Sequence, residues 1–116
     1  MRRWAVLLFG ALPLTGSAAP LDAAISKSYF ANWRGQPYYC PSGNCLAQGR
    51  RDMPQADRSS FRPVSEAYAL DRHRVYYEGR EVPGADPHTW VVQGRWHGRD
   101  HQHLYIRRFR IEEVDA

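Results

Sequence analysis

The sequence predicts an all-β fold of short antiparallel hairpins in meanders, built from a 29-residue repeat with single helical turns between the copies. Three observations predict it. Ala56-Asp57 recurs as Ala85-Asp86, Phe61 as Trp90, Asp71 as Asp100 and Val75-Tyr76 as Leu104-Tyr105, all at the same offset. Segments such as Tyr68–Asp71 and Val75–Tyr77 are short, aromatic and β-branched and flank the polar Arg72-His73, which is the pattern of a hairpin. Glycine and Asp-Pro then punctuate the copy at positions where a tight turn needs them.

The elements of one copy come in order. After the hairpin, Glu78-Gly79 separates Val75–Tyr77 from Arg80–Val82, and Gly79 is expected to supply the positive φ of a two-residue turn. Gly84 opens the next connection, Asp86 is placed to cap free backbone N–H groups, and Pro87 suits the first position of a helical turn, where its missing N–H has no cost. A further strand is expected from Trp90. Counting the offset backward puts Tyr39 on Tyr68, Leu46 on Val75 and Arg51-Asp52-Met53-Pro54 on Arg80-Glu81-Val82-Pro83. Copies are therefore expected near 39–67, 68–96 and 97–116, with 19–38 as an N-terminal segment leading into them.

The run Asp71-Arg72-His73-Arg74-Val75-Tyr76-Tyr77-Glu78-Gly79, followed by Val82-Pro83-Gly84-Ala85-Asp86-Pro87-His88-Thr89-Trp90, resembles the DKNYY repeat family. Arg72, His73 and Trp90 depart from that family's Lys, Asn and Phe but keep charge, polarity and aromaticity. The resemblance runs from about Ala56 to Tyr105. It implies a bacterial protein, exported or lipid-anchored, and brings no established activity and no catalytic residue. Asp71, Gly79, Gly84, Asp86 and Pro87 are read as turn residues of the motif.

The N-terminus carries Met1-Arg2-Arg3, an apolar run from Ala5 to Leu14 and small residues at 16–19, the layout of a signal peptide cleaved after Ala18. The apolar run is about half of the roughly 20 residues that a membrane span needs, and no cysteine stands near the cleavage region to take a lipid. The mature chain is expected to be periplasmic or secreted, without a stable membrane anchor. Cleavage removes two basic residues and no acidic one, so the formal charge of +4 becomes +2. The arginines are interspersed with acids, which argues against nucleic-acid binding. Cys40 and Cys45 form an even pair in an oxidising compartment and are expected to be disulfide-bonded, contributing on the order of 2 kcal/mol for so short a loop. At the repeat offset they correspond to Ala69 and Arg74, flanking the first hairpin turn.

No nucleophile elbow, phosphate loop or dinucleotide fingerprint is present in the sequence, and no enzyme activity or cofactor is expected. His97, His101 and His103 invite a metal-site reading, but His101 and His103 replace Arg72 and Arg74 of the preceding copy, so they read as exposed polar positions and no metal is expected. Tyr76, Tyr77, Trp90, Trp96 and Tyr105, with Trp33 and Tyr68 beside them, are candidates for contact with a ligand or partner, against the reading that they fill the core. Tyr76 and Tyr77 must point to opposite faces of one strand, so one is expected to be exposed or at an interface. The function expected is a structural or protein-binding module of the cell envelope, with an envelope protein as partner. The alternative is a carbohydrate or another envelope ligand held on exposed aromatics, with an unrecognised hydrolase as a third reading.

Overall fold

Strands recur at the predicted spacing in the second and third units of the computed structural model, which describes residues 19–111; the expected leader, 1–18, and residues 112–116 lie outside the described residues. In the second unit β4 (Arg62–Pro63), β5 (Tyr68–Leu70), β6 (Val75–Tyr77) and β7 (Arg80–Glu81) form an antiparallel sheet in chain order. In the third, β8 (Val91–Val92), β9 (His97–Arg99), β10 (Leu104–Ile106) and β11 (Phe109–Ile111) do the same. The register repeats as well: Tyr68 pairs with Tyr77 as His97 pairs with Ile106. The all-β reading holds.

The first unit corrects the predicted boundaries. Its sheet is β1 (Tyr29–Ala31), β2 (Pro37–Tyr39) and β3 (Arg51–Asp52). Tyr29 pairs with Tyr39 as Tyr68 pairs with Tyr77, and Tyr39 pairs with Arg51 as Tyr77 pairs with Arg80. Tyr39 is thus the counterpart of Tyr77, not of Tyr68, and the segment read as leading into the first copy supplies two of its strands. The constant offset fails because residues 40–50 replace the two-residue turn Glu78-Gly79. This insertion holds a 3-10 turn (Pro41–Gly43) and α1 (Cys45–Gln48), which Asn44 caps by accepting the Ala47 N–H at 3.0 Å.

Cys40 and Cys45 are bonded, as expected, but elsewhere in the unit than predicted. They close the insertion after β2, while the first hairpin turn is Asn32–Gln36, held by the Asn32 side chain accepting N–H groups of Arg34 and Gln36. Between units the chain makes single turns closed by Ser60 N–H to the Asp57 carbonyl and Thr89 N–H to that of Asp86.

The sheets are held together by two apolar joints. Tyr29, Tyr39, Met53, Ala56, Ala69 and Tyr76, with Phe61 against them, join the first unit to the second. Tyr68, Leu70, Val75, Tyr77, Val82, Trp90 and Tyr105 join the second to the third. The middle sheet is therefore covered on both faces. Tyr76 and Tyr77 do point oppositely, yet both are buried, each in its own joint. Each aromatic ring takes about 150–250 Å² out of water, and three-residue strands have no stability without that burial.

Candidate functional site

One aspartate organises each joint. Asp71 Oδ1 accepts the N–H groups of His73 (2.8 Å) and Arg74 (2.7 Å), fixing the hairpin turn, while Oδ2 accepts the Tyr76 hydroxyl (2.6 Å) and the N–H of Asp57 (2.9 Å) in the connecting turn. Asp100 repeats this with Gln102, His103, Tyr105 and Asp86. Burial pushes both carboxyls up, but the hydrogen bonds outweigh it and hold them below the usual carboxylate range. Asp86 Oδ1 accepts the His88 N–H at 3.0 Å and Oδ2 the Thr89 hydroxyl at 3.0 Å, the cap expected of it. The Thr89 hydroxyl oxygen in turn accepts the N–H of His101. Asp57, Ser60 and Arg72 form the same chain of bonds one unit earlier. These side chains therefore act as structural anions.

Phenol hydroxyls make polar contacts across the joints. Tyr29 donates to the Ala67 carbonyl and accepts the Gly79 N–H at 3.2 Å. Its counterpart Tyr68 lies 3.1 Å from the carbonyls of both Trp96 and Arg107. Gly79 has φ +80° and follows Glu78 at φ +49°, so the predicted left-handed turn is present. The third unit turns at the equivalent pair with Arg107 at φ +56° and no left-handed second residue. Gly84, at φ +82°, begins the connection to Asp86 and Pro87.

Of the aromatic candidates, Tyr68, Tyr76, Tyr77, Trp90 and Tyr105 are core residues. Trp96 is exposed, with the Arg107 guanidinium 5.9 Å from its ring. Trp33 is 85% exposed and carries Arg34 at 4.6 Å. The histidines do not converge: His97 lies on β9 opposite Ile106, His101 contacts Thr89 and Asp86, and His103 stands edge-on to Tyr105. Among the described residues no group of three His, Cys, Asp or Glu side chains is placed to hold a metal. No helix among them is long and apolar enough to cross a membrane. Glu66 is engaged by Ser28 and by the Lys27 N–H.

The outstanding surface is the outward face of the third sheet. Directly paired residues share a face, so the ladders place Ile111, Leu104, Arg99 and Val91 in one cross-strand row and Phe109, Ile106 and His97 in the next. Val91, Leu104, Ile106, Phe109 and Ile111 are 39–67% exposed. Leu104, Ile106 and Ile111 correspond to Val75, Tyr77 and Val82 of the second unit, which the third unit covers almost completely, whereas Val91 and Phe109 correspond to the exposed Arg62 and Arg80. The opposite end of the stack is closed: Phe30 and Tyr38 lie buried with Cys40 beside Cys45, and Arg50 stacks 3.9 Å from the Tyr38 ring. Sequence reasoning missed this open face. The signal for it is Leu104 and Ile106 at the offsets of Val75 and Tyr77, apolar side chains on the face that points away from the second unit.

No curated protein and no solved structure matches the chain. The sequence matches the DKNYY family over residues 22–109, a span that takes in the first unit's hairpin, with its Tyr38-Tyr39 pair, as well as the later units. On that match the chain belongs to the DKNYY family.

Proposed function

We propose that the protein is an exported module of the cell envelope that binds another protein through the exposed outward face of its third sheet. The observation that carries this reading is the set of five exposed apolar side chains on the third sheet, three of which, Leu104, Ile106 and Ile111, stand at positions that are buried as Val75, Tyr77 and Val82 in the second unit. Contiguous apolar surface of this kind on a small protein marks an interaction site. The signal-peptide layout at the N-terminus and the Cys40–Cys45 bond support export. A binding role is favoured over hydrolysis because the buried carboxylates are spent on hydrogen bonds that keep them ionised. A glycan platform would rest on Trp33 and Trp96, since the other candidate aromatics are in the joints.

The test is a photo-crosslinking residue in place of Ile106, introduced in the native host, with Leu46 at the closed end as the control position. Ile106 should capture a protein and Leu46 should not. Equal capture from both positions, or none from Ile106, would count against the reading.

A further inference from the structure

The geometry points to a binding site for a phosphate or diphosphate group in a basic cleft where residues of all three units meet. The cleft has a volume of about 300 Å³, at the small end for a ligand site, and Arg51, Arg80, Arg107 and Arg108 line it together with Glu78. Arg51 comes from β3 of the first unit, Arg80 from β7 of the second, and Arg107 and Arg108 from the turn between β10 and β11 of the third. Four guanidinium groups against one carboxylate leave a formal surplus of three positive charges. This site goes beyond the protein-binding reading and does not depend on it.

The fold itself produces the surplus. Along the chain two of these arginines stand beside acids, in Arg51-Asp52 and Arg80-Glu81, so the charges look balanced. Successive residues of a strand point to opposite faces, and β3 and β7 therefore turn the arginines into this cleft and the acids away from it. Asp52 and Glu81 border a second cleft beside Gln55 and Tyr76, and they pair with Arg50 at 2.8 Å and Arg74 at 3.5 Å. Among the described residues no carboxylate forms an ion pair with Arg51, Arg80, Arg107 or Arg108.

Backbone carbonyls of the second unit hold two of the guanidinium groups in place. Arg51 Nη1 donates to the Glu78 carbonyl at 2.5 Å, and Arg108 Nε donates to the Glu81 carbonyl at 2.9 Å. Each bond uses part of the guanidinium fork and leaves its other N–H groups to a ligand. Part of the cost of ordering these side chains is thus met on folding and not on binding. A guanidinium presents parallel N–H groups that match phosphate oxygens two at a time. A carboxylate would neutralise one surplus charge, whereas a phosphate ester carries about 1.5–2 negative charges near neutral pH and offsets more of the surplus.

The experiment is calorimetric titration of protein recovered after export of the full chain, with inorganic pyrophosphate at constant ionic strength. Co-sedimentation with phosphatidylcholine vesicles containing phosphatidic acid is the second arm. Saturable binding of at least one probe is expected. Arg51 and Arg108 also hold backbone carbonyls, so the informative variants are Arg80→Gln and Arg107→Gln. Each should weaken binding about tenfold or more with the thermal midpoint unchanged. Arg80→Lys keeps the charge without the fork and should recover part of the affinity. Arg62→Gln, on the opposite edge strand of the second sheet, removes the same charge and should leave binding as it is. Binding of pyrophosphate alone identifies a free phosphate compound as the ligand, and binding of vesicles alone, lost in the two cleft variants, identifies a phosphate headgroup. No saturable binding of either probe overturns the inference. So does a loss in Arg62→Gln as large as in the cleft variants, which would leave only a general attraction of a basic protein for anions.

Discussion

A β-carbon built on Gly98 would lie 2.4 Å from Cζ2 of Trp90, so this glycine is the space in which the indole sits. One unit earlier the same two positions are Ala69 and Phe61, both part of the first joint. The larger ring and the missing methyl compensate each other. Gly98→Ala is expected to destabilise the protein by about 1–3 kcal/mol through overpacking. Combined with Trp90→Phe, which recreates the pair of the preceding unit, it should cost less than the two single changes together. Urea melts of the four proteins give the coupling; strict additivity would mean that the ring and the glycine are not matched.

That pairing also marks what can be read in the sequence. Phe61 and Trp90 are visible as equivalents because the offset between the second and third units is constant, and the strands obey it. The first unit escapes the offset because an insertion shifts everything before Arg51, so the match of Tyr39 with Tyr68 is accidental. The pair Tyr38-Tyr39, matching Tyr76-Tyr77, is the better signal, since adjacent tyrosines serve two opposite faces of a covered strand. The open face is harder to see. Leu104 and Ile106 are covered only if another layer packs on the third sheet, and alternation along one strand reports a face without reporting its neighbour.

Asp86 is the plainest test of the connecting turns. Its carboxylate holds the His88 N–H and the Thr89 hydroxyl, and Thr89 passes the contact on to His101. Asp86→Ala should lower stability by about 0.5–2 kcal/mol, the range for losing such a cap. A denaturation midpoint equal to that of the parent would show that the turn is held by its backbone bond alone.

Acid should unfold the protein through the same aspartates. Asp57 is held down at about 2 by the Ser60 and Ser59 hydroxyls, and Asp71, Asp86 and Asp100 also lie below their ordinary value of 3.8. With folded-state values depressed, the unfolded chain binds more protons in this window, so stability rises with pH there. It should be complete above the unfolded value and be lost as pH falls through it toward the folded values. Thermal midpoints should stay level near neutrality and decline from about pH 5 downward. Asp71→Asn should lower the neutral midpoint and flatten that decline; an identical acid slope in the variant would remove Asp71 from the explanation.

The disulfide closes an insertion at the end of the stack and crosses neither joint. Reduction should therefore leave the three sheets assembled while loosening the cover over Phe30 and Tyr38. Its stability cost should be on the order of 2 kcal/mol. Intact mass before and after alkylation reports the bond, and hydrogen exchange reports the extent of loosening. Loss of protection in β5, β6 and β10 on reduction would make the bond a global constraint.

Gly79 and Gly84 separate two effects that glycine usually confounds. Both have positive φ, +80° and +82°, so a side chain at either meets the left-handed penalty of about 1–2 kcal/mol. A β-carbon on Gly84 would meet nothing within 4 Å, whereas on Gly79 it would lie 2.8 Å from the β-carbon of Tyr39 and 3.2 Å from Cδ of Arg51. The N–H of Gly79 is also accepted by the Tyr29 hydroxyl, so displacing this turn disturbs the phenol that ties it to the first unit. Gly84→Ala should cost the conformational term alone. Gly79→Ala should cost clearly more, and Gly79→Val more again, exceeding about 1 kcal/mol in any case. Denaturant melts of the three variants decide it. Equal losses for the two alanine variants would show that the first unit can retreat from the turn without penalty, and the joint between Tyr39 and Gly79 would then be looser than its distances imply.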